Sequence, residues 1–174
     1  MQLTGPNRRL YITSHLDTPY PALESLARFN TSMVVRLVVV GRNRPFRGLP
    51  YRELLRLKNL RTLTLSRCRA THIFVAALHP DSSTPKVMAC PKLEELIFVP
   101  CTDGGGEFSI MTTVKMAAAR ASRGAKLMTV RIIGRQGKLN PESQLELGKH
   151  ISSVEYAPEA DETDGDSDDS DEEY

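Results

Sequence analysis

Two stretches of this chain place apolar residues at their first, fourth and sixth positions and a cysteine at their ninth. They are Leu60-Arg-Thr-Leu63-Thr-Leu65-Ser-Arg-Cys68 and Leu93-Glu-Glu-Leu96-Ile-Phe98-Val-Pro-Cys101. The step of two between the fourth and sixth positions is the period of a strand, whose alternate side chains share a face. Such a strand buries bulky groups on one side, and a small ninth residue suits a chain turning away from the sheet. Weaker copies fall into the same register at Asn7, Leu10 and Ile12; Val34, Leu37 and Val39; Leu127, Val130 and Ile132; and Ile151, Val154 and Tyr156. The fourth positions Leu10, Leu37, Leu63, Leu96, Val130 and Val154 are separated by 27, 26, 33, 34 and 24 residues.

Between the strands the period changes to that of a helix. Residues 21–29 set Leu23, Leu26 and Phe29 on one face, with Pro21 where its missing N–H costs nothing. Residues 50–57 repeat the design with Leu54 and Leu57. Residues 70–79 place Ile73, Phe74, Ala77 and Leu78 at helical spacing, and Pro80 ends the run. The longest predicted helix covers 109–126, rich in Ala and Met, with Gly124 suited to a left-handed C-terminus. A last helix opens at Asn140-Pro141 and runs to about His150. Residues 42–48 and 81–85 read as exposed loops.

The consensus Leu-x-x-Leu-x-Leu-x-x-Cys, followed by a helical stretch, resembles a leucine-rich repeat, whose period is about 20–29 residues and allows longer insertions. The fold expected from it is α/β: a solenoid of about six strand–helix repeats over residues 1–157, with a parallel sheet on the concave face. The third, fifth and seventh strand positions then look outward. Arg36, Val38, Val40, Thr62, Thr64, Glu95, Ile97, Val99, Arg131 and Ile133 are the expected partner-binding residues, and the β-branched members of the set are more apolar than a solvated face requires.

Charge divides the chain. Residues 159–174 contain ten acids and no base, so the preceding 158 residues carry 23 bases against eleven acids, a net +12. Self-repulsion and the lack of apolar groups predict a disordered acidic tail over 158–174. No apolar run is long enough to span a bilayer and no signal peptide is recognisable, so a cytoplasmic or nuclear protein with reduced thiols is expected.

No catalytic constellation emerges. Cys68, His72, His79, Cys90 and Cys101 lack the close pairs of a zinc site, and Cys68 and Cys101 are already accounted for as ninth positions. Asp103-Gly104-Gly105-Gly106-Glu107 lacks the Gly-Lys-Ser/Thr ending of a phosphate loop. The histidines sit in no nucleophile-elbow or metalloprotease motif. The chain is therefore read as a non-enzyme with no cofactor and no metal. Its many arginines are spread over strands, loops and helices without aromatic platforms, so nucleic-acid binding by a basic protein with an autoinhibitory acidic tail stands as the alternative.

Leu60–Cys68, Cys90–Leu96 and above all Met116-Ala-Ala-Ala-Arg120-Ala-Ser-Arg-Gly124-Ala-Lys-Leu127 resemble the leucine-rich-repeat part of F-box proteins, particularly those of fungi. The resemblance covers about residues 30–157. It implies the substrate-recognition repeats of a ubiquitin-ligase receptor, holding a protein to be modified. The first strand begins within a few residues of Met1, so the F-box itself is absent from this chain, and binding of a ligase adaptor is expected only if an F-box lies outside it.

Overall fold

The computed structural model describes residues 2–4, 9–13, 30–41, 51–68, 71–80, 87–99, 109–134 and 141–157. Strands β1 (Gln2–Thr4), β2 (Arg9–Thr13), β3 (Arg36–Val40), β4 (Thr62–Ser66), β5 (Glu95–Val99), β6 (Thr129–Ile133) and β7 (Ser153–Ala157) form one sheet in chain order. β1 pairs antiparallel with β2, and every later pair is parallel. Helices α1 (Tyr51–Arg56), α2 (Thr71–Leu78), α3 (Ile110–Ala121) and α4 (Pro141–Gly148) alternate with the strands from β3 onward. The fold is therefore α/β, a parallel sheet alternating with helices. The predicted helix at 21–29, the loops at 42–48 and 81–85, Cys101, the glycines at 104–106 and the segment 158–174 lie outside the described residues.

The register follows from the hydrophobic pattern. Leu10, Leu37, Leu63, Leu96, Val130 and Val154 stand opposite one another from β2 to β7. Two positions on, Ile12, Val39, Leu65, Phe98, Ile132 and Tyr156 form a second row. From β3 to β6 the members of both rows are buried. A slip of one residue would turn each such strand's apolar set to the open side, so burial pins the pairing. In β7, which has no neighbour beyond it among the described strands, Val154 and Tyr156 are only half-buried, and a shallow depression lined by Leu145, Ile151 and Val154 opens there.

Helices cover the buried face and pack on one another in chain order, α1 on α2, α2 on α3 and α3 on α4. Leu54 and Leu57 at α1 are fully buried, as their spacing predicts. On α2 the buried set is Thr71, Phe74, Val75, Ala77 and Leu78, broader than a single stripe, because the helix lies between α1 and α3. α3 ends at Ala121, short of the predicted Lys126. Its N-cap Ser109 accepts the Thr112 N–H, and Gly124 (φ 75°) lies in the turn that follows.

Positive-φ positions recur in the turns that lead into β5 and β6. Cys90 (φ 47°) and Gly124 (φ 75°) each stand three residues before the buried leucines Leu93 and Leu127. At the other end of the strands, Gly41 is held close to the segment that leaves β4, since a Cβ there would lie 2.9 Å from the Cα of Cys68. Cys68 is buried, with Sγ 3.4 Å from the Val39 carbonyl.

Candidate functional site

Since helices occupy one face of the sheet, the other presents three rows of side chains fixed by the pairing. The first row is Arg36, Thr62, Glu95, Thr129 and Ser153; the second is Val38, Thr64, Ile97, Arg131 and Glu155. The third contains Val40, Ser66 and Val99 and continues with the pair Ile133 and Ala157. Arg9, Tyr11 and Thr13 hold the matching register positions on β2. All ten residues expected to bind a partner thus lie on this one face. Arg36 is exposed and the other nine are half-buried.

The polar members are not independent of one another. Arg131 donates from Nε to Glu155 Oε2 at 2.9 Å, and its Nη2 lies 2.9 Å from the same oxygen and 3.6 Å from Glu95 Oε1. Thr62 Oγ1 donates to the other Glu95 oxygen at 3.2 Å. One cation between two carboxylates leaves this network with a net charge of −1, and its partial exposure limits each pair to about 0–1 kcal/mol of stability. Its consequence is geometric. Glu95, Arg131 and Glu155 form a preset patch across β5, β6 and β7, while Arg36 on β3 forms no ion pair with any described carboxylate and supplies positive charge on the other side.

The apolar members gather toward the C-terminal ends of the strands. Val40, Val99, Ile133 and Ala157 line the third row, and Val38 and Ile97 extend it into the second. The face is therefore graded along the strand direction, from a charged row to an apolar one. Such a surface suits a partner with one apolar and one polar side.

Comparison with protein-family models, curated proteins and solved structures finds no match for this chain. Its own geometry must carry the functional argument.

Among the described residues, no group of three or more His, Cys, Asp and Glu could hold a metal ion. Cys68 and Cys90 are buried, whereas His72 and His79 are exposed. Nor is any described helix long and apolar enough to cross a membrane.

The largest fully buried side chain among the described residues is a charged one. Arg120 on α3 is completely buried, and its guanidinium donates to the Ala89 carbonyl at 3.0 Å and the Cys90 carbonyl at 2.8 Å, with the Leu78 carbonyl at 3.5 Å. Those carbonyls belong to the C-terminus of α2 and to the turn before β5, where a helix end leaves acceptors unpaired. Burial pulls the Arg120 pKa below its ordinary value, but an arginine remains a cation in a protein. The same environment pushes the Cys90 thiol up to about 12, mainly by burial and against the opposing pull of Arg120. Protonated, it donates to the Leu54 carbonyl at 3.3 Å. Arg120 thus clamps α3 to the C-terminus of α2 and to the turn before β5, and Cys90 is a buried, protonated thiol. The spacing Thr113, Met116, Ala117, Arg120 was the available signal, since it puts the arginine on the apolar side of its helix.

Proposed function

We propose that this chain is a leucine-rich-repeat solenoid with an acidic C-terminal tail, working as a non-catalytic protein-interaction module in the cytoplasm or nucleus. The open face of its sheet is the concave partner surface. The observation that carries this reading is the half-exposed cluster Val38, Val40, Ile97, Val99 and Ile133, held in register beside a charged row. The stacking of the fourth-position residues and the burial of Cys68 support the repeat assignment. In the resemblance to F-box proteins, the role is that of substrate-recognition repeats, and the partner is a protein to be ubiquitinated. An adaptor of the ligase enters only through an F-box outside this chain.

The reading is tested by comparing the proteins captured from cells by wild type, by the double variant Ile97→Ser/Val99→Ser, and by Leu145→Ser on the helical side. A specific partner should be lost with the double variant and kept with Leu145→Ser. Its capture should also survive a rise in salt, because apolar contact is not driven by counterion release. Equal recovery of every captured protein by all three would refute the concave face as the binding surface.

A further inference from the structure

The turns that lead from each helix into the next strand stack as regularly as the strands. The backbone ladder continues ahead of them: Glu94 N–H donates to the Arg61 carbonyl at 2.9 Å, Met128 N–H to Glu94 at 2.8 Å and Ser153 N–H to Met128 at 2.9 Å. Lys58, Lys92, Lys126 and Lys149 are thereby brought to one edge of the sheet, all exposed, with exposed Arg56 beside them. Lys92 Nζ reaches Asn59 of the preceding turn at 2.8 Å, so neighbouring turns are in contact along this edge. Lys149 is paired with Glu146. Arg56, Lys58, Lys92 and Lys126 form no ion pair with a described carboxylate.

Cations gathered on neighbouring turns along one edge repel one another. Helix C-termini favour a positive charge in their last turn, but that effect fades within the turn and does not account for a continuous row. An extended anion laid across the turns would remove the repulsion.

We propose that the acidic segment 159–174 of this same chain binds along the basic edge. It carries ten carboxylates and no base, and it follows directly on β7, which ends at Ala157. The seventeen residues after Ala157 can span up to about 55 Å when extended. The length of β7 and the three strands back to Lys58 together amount to about 30 Å. Attachment to the same chain gives an effective concentration on the order of millimolar, an advantage that no free polyanion shares. The edge has no Phe, Tyr or Trp among its described residues on which bases would stack, which favours a carboxylate-rich peptide over a single-stranded nucleic acid.

The test is zero-length carbodiimide cross-linking of the full chain, mapped by mass spectrometry. At about 10 mM salt, where charges act over the longest range, carboxylates of 159–174 should couple to Lys92 and Lys126 at least about five-fold more than to Lys115, an exposed lysine on α3. The preference should shrink at about 0.5 M salt. Coupling to Lys115 as strong as to the edge would overturn the proposal. So would links found mainly between isotopically distinct copies in a mixed sample, which would make a second copy the occupant. Complete displacement of the links by equimolar oligo-dT would assign the edge to nucleic acid and overturn it equally. None of these outcomes depends on Ile97 or Val99, so failure here leaves the concave-face reading standing.

Discussion

Arg120→Ala is expected to destabilise the fold by about 2–5 kcal/mol, through lost hydrogen bonds from a charged donor and the cavity left behind, while Arg120→Met should cost less. The alanine variant leaves the carbonyls of Leu78, Ala89 and Cys90 without the donor they share, and it opens a cavity beneath α3. Methionine fills most of that volume and introduces no unpaired cation, so only the acceptor loss remains. Chemical denaturation measures the difference. Reactivity of the Cys90 thiol gives a second readout, because its burial and raised pKa keep it protonated and protected in the native chain at neutral pH. A folded-state pKa above the unfolded one stabilises fully at low pH. The Cys90 contribution should therefore persist up to about pH 9 and be lost as pH rises toward 12. In Arg120→Ala, a thiol reagent at neutral pH should label Cys90 faster than in wild type. An alanine variant as stable as wild type, with Cys90 still protected, would show that the guanidinium clamp does not hold α3 to α2 and the turn before β5.

Leu63→Ala and Leu96→Ala should each lose about 2–5 kcal/mol, as truncation of a fully buried leucine does, whereas Thr64→Ala between them should change little. Both leucines are completely buried and face each other across β4 and β5, while Thr64 lies half-exposed on the open face. Denaturation midpoints would separate the three. Equal small losses at all three positions would mean that the strands do not present the faces assigned to them.

The sheet was readable in advance because a period of two, anchored by large apolar groups, leaves only one register that buries them. The fourth-position series from Leu10 to Val154 is the row that the strands pair. Helix ends were less readable. Gly124 suggested the close of α3, yet the helix stops at Ala121, where Ser122 closes the last turn with its N–H on the Ala118 carbonyl, and the glycine serves the turn beyond. Side-chain pairings across strands were not readable at all. Glu95 and Arg131 appeared as separate partner-binding residues, and only the parallel pairing of β5 with β6 shows them sharing one network with Glu155. The basic residues looked scattered for the same reason. Lys58, Lys92, Lys126 and Lys149 become neighbours only when strands far apart in sequence are placed side by side. Arg120 was legible only as a residue on the apolar side of its helix, because the three carbonyls that hold it come from segments distant in sequence.

Successive strands pair in one parallel register, which turns Thr64, Ile97 and their neighbours to the open face. Paired cysteines and a short bis-maleimide test this directly in the native chain. Thr64 and Ile97 are register partners, so Thr64→Cys/Ile97→Cys should cross-link rapidly and almost completely. Thr64→Cys/Phe98→Cys should not, because Phe98 points into the core. Efficient linkage of the second pair, with little of the first, would contradict both the register and the assignment of the face.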